Sequence, residues 1–128
     1  MGNPVMHFEV IGKDGDKLQQ FYSEVFAWKI NADNPMKYGM VSGESNDQSH
    51  GIGGGIGAGP GGEGSGVTFY VEVASLEDTL KKIEQAGGKT TMQPDDVPGG
   101  PRMAQFTDPE GHRIGLVQAG SMQGGSQN

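Results

Sequence analysis

The chain contains no cysteine. Disulfides, thiolate nucleophiles and zinc–thiolate sites are therefore excluded, and any metal would need His, Asp, Glu, amide oxygens or water. Positive charge is also scarce: nine Lys and Arg face sixteen Asp and Glu, for a formal net charge of −7. That balance repels phosphate backbones, and no basic stripe or aromatic-basic cluster appears, so nucleic acid is not an expected partner. No apolar run approaches the roughly 20 residues of a membrane span, so a membrane is not expected either. The opening Met1-Gly2-Asn3-Pro4 lacks the basic and apolar regions of a signal peptide. A cytoplasmic location is the resulting expectation.

Hydrophobic residues make up only 33% of the 128 positions, yet the deficit is local. Of 24 glycines, 11 fall between Gly43 and Gly66, and the rest of the chain keeps enough apolar residues for an ordinary core. The length suits one domain, since domains commonly hold about 100–150 residues.

Along the chain, Val5 to Val10 reads as a strand. Asp16 with Gln19 has nearly the form of a capping box, so a helix is expected over 17–27. Leu18, Phe21, Tyr22, Val25 and Phe26 follow its 3.6-residue period. Short strands follow at 29–32 and 38–41, around an Asn34-Pro35 turn. Gly51 to Gly57 reads as a weak fourth strand that leads into a flexible link ending near Gly66.

The pattern then recurs. Val67 to Val73 is a strand, Ser75 with Asp78 offers a capping box, and Leu76, Leu80 and Ile83 share a helix face that ends at Gly87-Gly88. Strands are expected at 89–92, 103–107 and 113–118, the last two joined by an Asp108-Pro109-Glu110-Gly111 turn of type I form. The order β-α-β-β-β thus appears twice, with His7-Phe8-Glu9-Val10 lying over Thr68-Phe69-Tyr70-Val71. One α+β domain over 1–118 is the expectation: module one at about 4–57, a glycine-rich link at about 58–66 and module two at about 67–118. The Gly/Ser/Gln-rich residues 119–128 are expected to be disordered.

Strand alternation assigns faces. Met6, Phe8 and Val10 should meet Phe21 and Val25 of the first helix, leaving Val5, His7 and Glu9 on the other side. In module two, Phe69, Val71, Val73, Ile114 and Leu116 should lie under the helix. Thr68, Tyr70, Glu72, Arg113, Gly115 and Val117 take the opposite face. If that face is open, its polar residues are ordinary surface; if the halves meet, they line a cup where ionisable groups need partners. His50 should be exposed in the glycine-rich link, and His112 should face the helix side or water. The run Gly51 to Gly57 lacks the Lys-Ser/Thr of a phosphate-binding loop and opens no helix. Met36, Met40, Met92 and Met103 suit either an adaptable pocket lining or gap-filling core.

The opening His7-Phe8-Glu9-Val10, the stretch Phe21-Tyr22 with Val25-Phe26-Ala27-Trp28, Val71-Glu72-Val73, Ala86-Gly87-Gly88 and Phe106 to Ile114 together resemble the vicinal oxygen chelate superfamily, which includes glyoxalase I, bleomycin-resistance proteins and extradiol dioxygenases. The resemblance covers nearly all of residues 4–118. It implies a glyoxalase-like fold in which two βαβββ modules form a cupped mixed sheet. Metalloenzymes of that family hold a divalent ion through inward-facing side chains on the first and last strands of each module. Here those positions correspond to His7, Thr68, Gly115 and a residue of the Gly51–Gly57 ladder. One donor in four is not a site, so no metal and no cofactor are expected.

Three functions compete at this level. The first is a small-molecule-binding, resistance-like protein without the usual metal, contacting its ligand through His7, Glu9, Tyr70, Glu72 and Arg113, with Tyr70 stacking. The alternative is a divalent-metal-dependent lyase, isomerase or dioxygenase of the glyoxalase type, with an altered site at His7 and Glu9 or Glu72 as base. The third is a dimerisation or regulatory module; a homodimer is expected in any case, since an open sheet leaves edges to cover.

Overall fold

Two βαβββ runs follow one another in the computed structural model, which describes residues 2–42, 51–59 and 66–121. The first comprises β1 (Val5–Gly12), α1 (Gly15–Phe26), β2 (Ile30–Asn31), β3 (Gly39–Val41) and β4 (Gly53–Ala58). The second comprises β5 (Gly66–Val73), α2 (Leu76–Gln85), β6 (Lys89–Asp96), β7 (Arg102–Thr107) and β8 (Arg113–Gln118). The class is α+β, as the repeat indicates. By contacts the chain divides into one compact unit of residues 6–68 and another of residues 1–5 with 69–128. The expected exposure of His50, most of the glycine-rich link and most of the tail lie outside the described residues.

In the first unit β4 runs parallel to β1, while β3 runs antiparallel to β4 and β2 antiparallel to β3. His7 pairs with Gly53, Glu9 with Gly55 and Ile11 with Gly57. Val41 and Ile56 are its most deeply buried apolar side chains, at 1% and 0% exposure. The glycines of β4 have a steric reason: a Cβ at Gly54 would run into the Phe8 ring, and one at Gly55 into the Tyr38 ring.

Helix α1 starts earlier than its sequence suggests. Asp14, not Asp16, is the N-cap; its side chain accepts from the Lys17 backbone N–H at 3.1 Å. Asp16 lies in the first turn, where a negative charge suits the helix dipole. Ala27 ends the helix in the left-handed region (φ 60°) and turns the chain so that Trp28 folds back. Trp28 stacks on Tyr22 at 5.7 Å between ring centres and meets Phe8 at 5.5 Å. It therefore takes the place against Phe8 that periodicity gave to Phe21 and Val25. Those two are 53% and 55% exposed, and no residue of α1 is buried.

The second unit repeats the scheme: β8 is parallel to β5, β7 antiparallel to β8 and β6 antiparallel to β7. Val73, Leu76, Leu80, Ala104 and Leu116 form its core, with Val71, Ile83 and Phe106 packed around them. Each large side chain buried here contributes roughly 1.5–3 kcal/mol. Phe69, expected beneath the helix, is 41% exposed. Ser75 caps α2 as expected, accepting from Asp78 N–H at 3.2 Å. Gly87 adopts φ 102° and Gly88 N–H reaches back to the Ile83 carbonyl at 2.9 Å, closing the helix. Strand β6 is longer than expected because register shifts on either side of Met92 let it continue past Pro94. The Asp108 turn closes with Gly111 N–H on the Asp108 carbonyl at 2.9 Å.

Candidate functional site

Alternation on β1 places His7 and Glu9 on the face away from α1, over the glycines of β4. A third residue links them. The Tyr38 hydroxyl lies 2.9 Å from His7 Nε2 and donates to Glu9 Oε2 at 2.9 Å. The imidazole and phenol rings are near-parallel, 6.3 Å apart at an interplanar angle of 17°. With the single phenolic proton directed at the Glu9 carboxylate, Tyr38 oxygen accepts from His7, so Nε2 carries the imidazole proton. Burial holds the His7 pKa below its usual value, which favours the neutral ring.

Tyr38 is held by the turn before β3. The Asn34 side chain accepts from Tyr38 N–H at 2.9 Å and donates to the Tyr38 carbonyl at 2.7 Å. Gln19 of α1 fastens the same turn to β4, donating to the carbonyls of Lys37 at 3.1 Å and Ile56 at 2.7 Å. The ring then lies over Gly55, with Gly57 at its edge.

The second unit shows a related pairing from a different element. Tyr70 of β5 is the register partner of Gly115 on β8, and its ring fills the space that a Cβ at Gly115 would need. Gln105 Nε2 donates to the Tyr70 hydroxyl at 3.1 Å. Tyr70 is only 4% exposed, so its ring offers no open face for the stacking expected of it. The glycine is the reason: without a side chain at 115 the ring settles onto the strand instead of standing out from it. Glu72, paired with Val117, is half-buried and shares the Tyr70 face by alternation. Arg113, paired with Thr107, is exposed on that face. His112 is exposed; its backbone N–H donates to Asp108 at 3.0 Å and its ring meets the same carboxyl at 3.0 Å, and these bonds, the backbone one first, hold the Asp108 carboxyl below its usual range.

The structure thus brings His7 and Glu9 together through Tyr38, and Tyr70 together with Gln105. Sequence reasoning missed Tyr38, Asn34 and Gln105. Two signals pointed towards them: a glycine inside a strand marks a close approach by something else, and Gln105 shares the parity of Gly115 across the β7–β8 register.

The model of the Glyoxalase/Bleomycin resistance protein/Dioxygenase superfamily matches residues 5–116. The anthracycline biosynthesis proteins DnrV of Streptomyces peucetius and DauV of Streptomyces sp. (strain C5) are each 37% identical over 70 residues. That match takes in 52% of this chain but only 26% of theirs. Among solved structures, a superfamily member from Vibrio splendidus 12B01 aligns with a TM-score of 0.61 at 17% identity, covering 91% of this chain and 99% of its own. Methylmalonyl-CoA epimerase from Mycobacterium tuberculosis aligns at 0.64 with 14% identity, covering 89% and 86%. At such identities the likeness is one of fold.

Tested against the divalent ion that such a family implies, the donor set does not fit. Among the described residues no three His, Cys, Asp or Glu side chains gather into a group that could hold a metal. Gly55 and Gly115 offer no donor, and tyrosine rings fill the room where one would stand. No helix among the described residues is long and apolar enough to cross a membrane.

Proposed function

Because this chain belongs to the glyoxalase/bleomycin resistance protein/dioxygenase superfamily, we propose that it binds a small, partly apolar organic molecule without a resident metal. The observation that carries this reading is the His7–Tyr38–Glu9 network. It is a partly buried polar cluster, already ordered by hydrogen bonds and placed on the strand face that alternates away from the core. Concave sites commonly combine apolar walls with a few such oriented polar groups. Within the second unit, Glu72 and Arg113 are proposed as ligand contacts in their own right, with Tyr70 packed behind them by Gln105.

The two Streptomyces relatives named for anthracycline biosynthesis suggest polycyclic aromatic ligands as first probes. The test is a thermal-shift and titration screen of chelator-treated protein against anthracyclines and smaller aromatic acids. Saturable binding weakened at least tenfold by Glu9→Gln supports the reading. The absence of any ligand across a broad aromatic and metabolite library counts against it.

A homodimer is proposed as well. Phe21, Val25 and Phe26 of α1 are each more than half exposed, and apolar exposure on one helix supports this reading. The proposed compartment is the cytoplasm.

A further inference from the structure

Glu9 and Gly55 are register partners on β1 and β4, and Tyr38 enters from outside the pair to cover both. With the Tyr38 ring where it lies, a side chain at position 55 has no room, because its Cβ would stand inside the ring. We propose that Tyr38 is a built-in plug that closes the first unit to divalent cations. This rests on the metal-free reading above and names the residue responsible.

The plug acts in two ways. Its hydroxyl sits where His7 Nε2 and Glu9 Oε2 converge, 2.9 Å from each. A divalent ion held by those two atoms at roughly 2.0–2.2 Å would have to break both hydrogen bonds that the phenol makes with them. The ring also occupies the volume over Gly55 from which a third donor would project. Asn34 fixes the backbone from which the ring projects by clamping the Tyr38 N–H and carbonyl with two hydrogen bonds.

The test compares wild type, Tyr38→Phe, Tyr38→Ala and the double variant Tyr38→Ala/Gly55→Glu. Each is loaded with Ni2+ or Zn2+, desalted and analysed for metal by mass spectrometry, with thermal unfolding run in parallel. Wild type and Tyr38→Phe should retain none, since both keep the ring. The double variant should retain about one equivalent and gain thermal stability from the ion, and adding His7→Ala should abolish both effects.

A folded double variant that holds no more metal than wild type overturns the plug while leaving the metal-free reading intact. Metal retained by wild type itself overturns both. Should the double variant fail to fold, 15N NMR of the His7 ring decides. The imidazole of Tyr38→Ala should shift on adding Zn2+ while that of wild type does not, and equal responses overturn the plug.

Discussion

The Tyr70 ring lies over Gly115, its register partner on the neighbouring strand, and Gln105 holds its hydroxyl at 3.1 Å. The space over a missing side chain is filled by an aromatic from the next strand. Gly115→Ala should therefore overpack the site and destabilise the protein by about 1–3 kcal/mol. Tyr70→Phe, which loses the hydrogen bond from Gln105, should cost about 1 kcal/mol. The decisive result is non-additivity: in a Tyr70→Ala background the cost of Gly115→Ala should largely vanish. Urea unfolding of the four proteins measures it.

Helix α2 depends on Leu76, which is fully buried between Val73, Leu80, Ala104 and Leu116. Leu76→Ala removes most of that side chain and should cost about 2–5 kcal/mol. Ser75→Ala, which removes only the cap, should cost about 1 kcal/mol. Chemical denaturation should rank them in that order.

His7 links stability to pH. In the unfolded chain its imidazole titrates near about 6.5, and burial depresses the folded value. Between those two values the unfolded state binds more protons than the folded one, so stability rises with pH across that window. Acidification below about 6.5 should therefore weaken the fold well before most carboxylates titrate. Unfolding midpoints should rise in wild type as the pH climbs towards about 6.5 and level off above it, and this rise should be lost in His7→Gln.

The outer face of α1 makes the oligomer testable. Sedimentation velocity at micromolar concentration should give a dimer, and Val25→Glu should give a folded monomer with an unchanged far-UV spectrum. A monomeric wild type would remove this part of the proposal.

Local chemistry made much of the fold legible in the sequence. The Ser75 cap, the Gly87-Gly88 stop and the Asp108-Pro109-Glu110-Gly111 turn depend on residues only a few positions apart, and each formed as its residues indicate. The repeated strand-helix pattern exposed the topology for the same reason. The packing of α1 was not legible in this way: periodicity identified an apolar face, but the left-handed Ala27 brought Trp28 back against Phe8 and displaced Phe21 and Val25 outward. Tyr38 was hidden for a related reason. Its contacts to His7 and Glu9 span 31 and 29 positions and rely on a turn clamped by Asn34. The glycines at 55 and 115 could be read as missing donors, but the rings above them could not.

The central claim is that the first unit offers its ligand a hydrogen-bonded cluster, not a metal. Isothermal titration of the first ligand found, into chelator-treated protein with and without added Mg2+, Mn2+, Fe2+, Ni2+ or Zn2+, tests it most directly. Equal affinity in all conditions, reduced at least tenfold by Glu9→Gln, is the predicted result. Binding that appears only with metal would contradict the account and return His7 and Glu9 to the role of ligands in a metal-dependent enzyme.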